Sequence, residues 1–233
     1  MRCKNLKRKI RLSQEDFDEI RNAVAEEEKK TSGEIVLAIT AESANYSGWE
    51  FLASFFCAFA FFVCMIPLSP RIYLWLENHF SDVQPWTLSL FFAVNCTLLM
   101  LLILLLCCVP SFDRMIIPLG VRQKSVSDRA MRYFIESGAS GTKGRTGLLI
   151  FVSFMEREVR IVGDTGISGK LSQDLWNLIA DEMSESLSEG NVKEAYLLAI
   201  KRCGELLSQN FPDEDGENEL PDGLNVLEDE RWV

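Results

Sequence analysis

The sequence predicts an α/β fold: an α/β/α sandwich around a small mixed sheet, interrupted by a two-helix transmembrane hairpin. Three observations carry this reading. Two uncharged apolar spans, Phe51–Leu68 and Trp86–Val109, run for 18 and 24 residues. Two continuous apolar runs, Ile35–Ile39 and Leu148–Phe154, have the composition of central strands covered on both faces. Amphipathic stretches of helical period stand before, between and after those strands.

The first helix opens at Leu12-Ser-Gln-Glu-Asp-Phe17. Ser13 is its N-cap, Asp16 completes a capping box, and Leu12 staples to Phe17. Phe17, Ile20 and Val24 form its buried stripe. Lys29-Lys-Thr-Ser-Gly33 ends it, with lysines at the negative end of the dipole and a glycine to turn the chain.

About 20 apolar residues cross a hydrocarbon core of ~30 Å as helix. Trp49 and Trp86 stand where interfacial aromatics belong. The spans therefore read as helices over about 49–68 and 86–109, joined by a loop of about 69–85. A helix and a strand precede the first span, so it is not read as a secretory signal. A chain this small could not bury both spans in a soluble core. Asn95 is expected to hydrogen-bond the partner helix. No charged residue lies within either span, which argues against a channel, proton relay or transporter.

Lys29, Lys30, Arg114, Arg122, Lys124 and Arg129 flank the hairpin, against Arg71 alone in the connection. That bias places both termini and the α/β domain in the cytoplasm. The first eleven residues carry Arg2, Lys4, Lys7, Arg8, Lys9 and Arg11 and no acid. Such an arm either stays solvated or lies on an anionic leaflet, at about 1 kcal/mol per charge.

Beyond the hairpin, Ser125 and Asp128 have capping-box spacing, and Ala130 and Phe134 mark a helix that stops near Gly138. A glycine-rich loop, Gly138–Gly147, leads into the second strand. Glu156-Arg157 makes a tight turn to a third, less buried strand with Val159 and Ile161 on one face. Helices follow at about 172–188, burying Leu175, Ile179, Met183 and Leu187, and at about 192–209. The second is opened by Asn191 and Glu194 and buries Ala195, Leu198 or Ala199, and Leu206. Residues 211–233 hold nine acids and one base, −8 of the chain's net −10, and read as a disordered tail. The organisation is a basic arm (1–11), a first half-domain (12–48), the hairpin (49–110), a second half-domain (111–210) and the tail.

Composition excludes several functions. No basic face exists for nucleic acid. His79 is the one histidine, so sites needing two imidazoles are out, and its place in the hairpin connection excludes a Ser-His-Asp triad. Five of seven cysteines lie within apolar runs, which leaves no disulfide framework or zinc knuckle.

A right-handed parallel crossover joins the first two strands, and a tight turn returns the third. Thr31–Glu34, Thr142–Thr146 and Gly163–Gly166 then meet at the sheet edge away from the bilayer. Glu34 and Asp164 could share a hard cation there. Arg145, with Lys143 beside it, could instead pair with Asp164 or clamp a phosphate. The loop is not a P-loop, since helix–loop–strand order is reversed and Gly144-Arg145-Thr146 lacks the lysine.

Four stretches carry a family resemblance: Lys30–Val36, Arg129–Phe134, Thr142–Val152 and Glu156–Ile167. Together they resemble the TPM-domain family, which includes the YgcG-like proteins and the thylakoid lumen acid phosphatase. The likeness is to bacterial members with a transmembrane hairpin after the first strand. It spans roughly 12–40 and 120–210. The resemblance implies an α/β/α sandwich and an acidic surface able to bind Ca²⁺, onto which Asp164 of Gly-Asp-Thr-Gly is carried. It implies acid phosphatase activity, as in plant relatives, or a role in repair of membrane complexes or as a receptor accessory subunit. The expectation is a membrane-anchored, non-enzymatic adaptor for a membrane protein complex, the lipid bilayer and a membrane protein being its partners. The alternative is a metal-assisted acid-phosphatase-like hydrolase using Asp164, Glu34 and Arg145.

Overall fold

The computed structural model describes residues 6, 10–80, 83–212 and 218–227. The chain divides into two units, Met1–Ala44 with Gly120–Val233, and Asn45–Leu119.

The first unit is an open four-stranded mixed sheet of order β3-β2-β1-β4. Its elements are helix α1 (Gln14–Glu28), β1 (Glu34–Thr40), α6 (Leu119–Glu136), β2 (Gly147–Ser153), β3 (Glu158–Gly163), the short α7 (Thr165–Ser168), α8 (Gln173–Ser188), α9 (Val192–Asn210) and β4 (Leu224–Leu227). Strands β1 and β2 run parallel with Glu34 opposite Gly147, and β3 runs antiparallel to β2. Every position of β1 and β2 is buried. Alternation sends Ile35, Leu37, Ile39, Leu148, Ile150 and Val152 to one face, against α1, α8 and α9. Val36, Ala38, Leu149 and Phe151 go to the other, against Val126, Ala130 and Phe134 of α6. This is the sandwich expected. Each large apolar side chain so enclosed stabilises the fold by roughly 1.5–3 kcal/mol.

The capping box of α1 forms as read. The Ser13 hydroxyl accepts the Asp16 N–H at 3.1 Å, and the Asp16 carboxylate accepts the Ser13 N–H at 2.8 Å. Expectations for four helix features are corrected. Helix α6 begins at Leu119, so Ser125 and Asp128 lie inside it and cap nothing. Asn191 precedes α9 but makes no side-chain cap, its amide donating instead to Glu189. In α8 the buried stripe is Trp176, Ile179, Ala180 and Met183, with Leu175 exposed and Leu187 only partly buried. Ile179 and Met183 are buried as expected, while Trp176 and Ala180 take the interior in place of Leu175 and Leu187, the indole being the largest apolar surface on the helix. Helix α9 likewise buries Ala195, Tyr196, Ala199, Ile200, Cys203 and Leu207, leaving Leu198 outside and Leu206 partly buried.

Both chain ends differ from expectation. Leu6 and Ile10 of the basic arm are buried in the core with α1 and α9; Arg2, Lys4, Lys7, Arg8 and Lys9 lie outside the described residues. Within the segment expected to be disordered, Leu224–Leu227 form β4, parallel to β1 at Leu37–Thr40. Acidic composition hid a short apolar strand that completes an open sheet edge. The rest of that expectation falls on 213–217 and 228–233, outside the described residues.

The second unit holds α2 (Ser47–Met65), a 3₁₀ turn (Ile66–Leu68), α3 (Ser69–His79), α4 (Pro85–Leu106) and α5 (Pro110–Ile116). Both apolar spans are helices long and apolar enough to cross a membrane. Helices α2 and α4 pack against each other, Ser54 and Ala58 turning inward. Small residues four apart let two helices approach closely. Phe62 meets Phe92 edge-on at 6.0 Å between ring centres, and Cys96 Sγ lies 3.8 Å from the Ala58 carbonyl. Asn95 does not reach the partner helix; its amide donates to Phe91 of its own helix at 2.8 Å. Residues 69–79, expected as loop, are helical. Pro67 and Pro70 fall in the first turns of new helical segments, where no N–H is required of them. Helix α5, placed by the sequence with the α/β domain, belongs to this unit.

Candidate functional site

The three segments expected to meet at one sheet edge do so. Glu34 N–H donates to the Thr146 carbonyl at 3.2 Å, and the Thr146 hydroxyl donates to the Ser32 carbonyl. Asp164 N–H donates to the Gly147 carbonyl at 2.9 Å, and Gly166 N–H to the Arg145 carbonyl at 3.0 Å. The glycines here serve close packing. A Cβ on Gly147 would sit 1.9 Å from the Ala139 carbonyl oxygen, and one on Gly166 would sit 2.5 Å from the Arg145 oxygen.

A fourth segment, not read from the sequence, covers this edge. Glu34 is buried, and its two carboxylate oxygens accept the backbone N–H groups of Glu219 and Leu220, each at 3.2 Å. The Glu219 carboxylate in turn accepts the Lys143 N–H, at 3.3 Å to each oxygen. Burial raises the Glu34 carboxyl above its usual range, opposed by those two hydrogen bonds. Glu28, at the end of α1, accepts the Ile35 N–H at 2.7 Å, while its other oxygen is buried without a hydrogen-bond partner. Burial pushes this carboxyl up to about 8, and the charges of Glu34 and Asp222 add to the shift. The edge is thus a carboxyl-lined seam closed by residues 218–222.

Asp164 caps α7, its Oδ1 accepting the Thr165 N–H at 2.6 Å and the Thr165 hydroxyl at 3.2 Å. Its Oδ2 is buried with no hydrogen-bond partner. Arg145 is exposed, in a left-handed conformation (φ 54°), and its guanidinium donates to the Ser140 carbonyl at 3.4 Å rather than to Asp164. The backbones of Asp164 and Glu34 lie on either side of β2, about 9–10 Å apart at two strand spacings. The face of Gly147 beside Glu34 is filled by the Ala139 carbonyl. Calcium takes six to eight oxygens. Among the described residues no group of three or more His, Cys, Asp or Glu side chains is placed to hold a metal. Asp164 thus keeps one oxygen without a hydrogen-bond partner, while both oxygens of Glu34 accept backbone N–H groups.

A second polar constellation stands at the carboxyl ends of the two parallel strands. The Glu156 carboxylate accepts the Ser153 hydroxyl at 2.6 Å and the Ser43 N–H at 2.9 Å, and the two serine hydroxyls are 2.7 Å apart. All three residues are buried. Since Ser153 spends its proton on Glu156, the Ser43 hydroxyl donates to Ser153. The tendency of α/β sheets to gather polar function at strand carboxyl ends was the signal for it. The network ties β1 to the β2–β3 turn and leaves no hydroxyl facing open space.

The TPM domain family model matches residues 108–206, which span α5, α6, β2, β3, α7, α8 and most of α9. Among solved structures, the chain is similar to the BA42 protein of the psychrophilic bacterium Bizionia argentinensis, determined by NMR. Identity is 20% and the TM-score 0.53, with 93% of this chain and 95% of that one covered. At that identity the likeness shows the fold alone. No curated protein matches the chain.

Proposed function

We propose that this chain, a TPM domain joined to an apolar helical hairpin, is a membrane-anchored, non-enzymatic adaptor that assists assembly or upkeep of a membrane protein complex. The observation that carries the reading is the outward face of the hairpin. Phe55, Phe56 and Phe59 on α2 are each at least 50% exposed, as are Leu98 and Leu105 on α4. Water would penalise such a surface, whereas lipid tails or another apolar helix would not. The flanking charges orient the hairpin with the α/β domain and both termini in the cytoplasm.

Tagged full-length chain would be captured from detergent-solubilised membranes. Reproducible co-purification of an integral membrane protein supports the adaptor, and a solitary chain counts against it. For orientation, Thr165→Cys and Asn78→Cys variants would be treated with a membrane-impermeant thiol reagent on intact cells. Labelling at residue 78 and protection at 165 is expected; the opposite pattern inverts the topology.

A second reading, a metal-assisted acid-phosphatase-like hydrolase, is favoured by one observation, the buried and unpartnered Oδ2 of Asp164. Arg145 on the adjacent loop would hold the phosphate. Turnover of a generic phosphate ester with Ca²⁺ or Mg²⁺, equal in the native chain and in Asp164→Ala, removes it.

A further inference from the structure

We infer, on the premise of an anchored hairpin, that α5 (Pro110–Ile116) is an interfacial helix whose outer face, Met115 and Leu119, lies in phospholipid at the boundary between head groups and acyl chains.

Helix α5 does not continue α4. Val109 is extended (φ −98°, ψ 118°), and Pro110 opens the new helix. At seven residues, and about 1.5 Å per residue, α5 is far too short to cross a bilayer. Its level along the hairpin follows from the packing of the two spans. Phe62 meets Phe92, and Cys96 lies by the Ala58 carbonyl, so α2 and α4 run antiparallel. The end of α4 therefore lies beside the first turns of α2, which carry Trp49 and Glu50. Helix α5 follows directly and touches α2. It thus sits at the level of the flanking tryptophan, where a bilayer changes from hydrocarbon to head groups.

The segment is polar inside and apolar outside. Asp113 and Ile117 are buried, whereas Met115 is 75% exposed and Leu119, the last residue of this unit, 58%. A helix meeting water turns its carboxylate outward and its thioether inward. Helix α2 shows the same inversion, with Glu50, Ser54 and Ala58 buried and Phe51, Phe55 and Phe59 outside. The outer face of the spans thus runs on into α5 with no change of character, and one apolar medium covers both. Arg114, half-buried, donates to Ser111 at 3.2 Å, which keeps a cation among the head groups. A free helix of this length would bury too little apolar surface to hold to a membrane. Helix α5 is joined to a span, so its association is intramolecular.

The test uses the full chain in nanodiscs of phosphatidylcholine. A photocrosslinking benzophenone side chain replaces Phe59, Met115 or, on α8, the exposed Asn177. Irradiation should give phospholipid adducts at 59 and 115 and none at 177. Adducts at 59 without any at 115 overturn the inference and leave the anchored hairpin standing. No adduct at 59 removes the anchored reading, and the inference with it. A crosslink from 115 to a second copy of the chain in place of lipid also overturns it. The native chain gives a second measurement with no substitution. An anionic oxidant in the aqueous phase converts exposed methionine to the sulfoxide. Met131 on α6 is 50% exposed, less than Met115. In nanodiscs Met115 should nonetheless oxidise several-fold more slowly than Met131, read by mass spectrometry of the peptides. Met115 oxidising as fast as Met131, or faster, overturns the inference.

Discussion

The two units place the same kinds of side chain in opposite surroundings. In the sheet, Phe151 is fully enclosed, whereas on the hairpin Phe59 is 56% exposed. Both belong to uncharged apolar runs. What separates them is length and flanks. Seven-residue strands are enclosed by amphipathic helices, while spans of about twenty residues exceed what this small domain could cover. Hydrophobicity thus says that a segment leaves water, and the rest of the chain decides whether it enters protein or another apolar medium.

A matched pair of substitutions tests this most directly. Phe151→Ala should cost roughly 3–5 kcal/mol, because a ring is deleted from a site with little room to collapse. Phe59→Ala should stay within about 0.5 kcal/mol, as at an exposed position. Chemical unfolding in detergent, followed by circular dichroism, gives both values. Equal losses would erase the distinction between the units. The hairpin face is probed next by Phe59→Lys. Facing water, lysine would be tolerated. Facing hydrocarbon, it should oppose insertion by about 2.5–3.5 kcal/mol and lower the share of chain resisting alkaline extraction from membranes. Full retention of the variant in the membrane fraction would argue that this face does not meet lipid.

Smaller effects sharpen the picture within the sheet unit. Gly147→Ala would press a methyl group onto the Ala139 backbone carbonyl and should cost about 1–3 kcal/mol by overpacking. An unchanged unfolding midpoint would show that the 139–141 turn yields. Ser13→Ala removes one half of a reciprocal cap and should cost about 1 kcal/mol, read as a shift in thermal midpoint.

The sequence disclosed those features that depend on neighbours along the chain. The Ser13–Asp16 cap, the apolar strand runs and the hairpin spans each announce themselves within a few residues. The convergence of Thr31–Glu34, Thr142–Thr146 and Gly163–Gly166 was legible as well, because strand direction and connection handedness fix which ends meet. Features that depend on three-dimensional competition were not. Whether Leu175 or Trp176 enters the core is settled by the shape of the cavity beneath α8. That Leu224–Leu227 joins β1 depends on an edge left open nearly two hundred residues earlier, and an acidic surrounding composition masks it. That Asp164 and Glu34 reach one edge was legible; what else contacts Glu34 was not. The sequence could not show that backbone N–H groups of residues 219 and 220 already occupy Glu34.

That seam gives the subtlest expectation, a pH dependence confined to the sheet unit. In the folded chain burial holds the Glu28 carboxyl at about 8, above its ordinary 4.5. The folded state therefore binds this proton more tightly than the unfolded state does. The stabilisation is complete below about pH 4.5 and is lost as pH rises toward and through 8. Glu34, raised in the same direction by burial, adds a loss of the same sign as pH rises. Glu28→Gln keeps the neutral shape at every pH and can still accept the Ile35 N–H. Its thermal midpoint should fall less than that of the native chain between pH 5 and pH 8.5, with the two converging at the acid end. Parallel curves would mean that Glu28 ionises freely within the seam. The seam would then lack the enclosure that distinguishes it from the open faces of the hairpin.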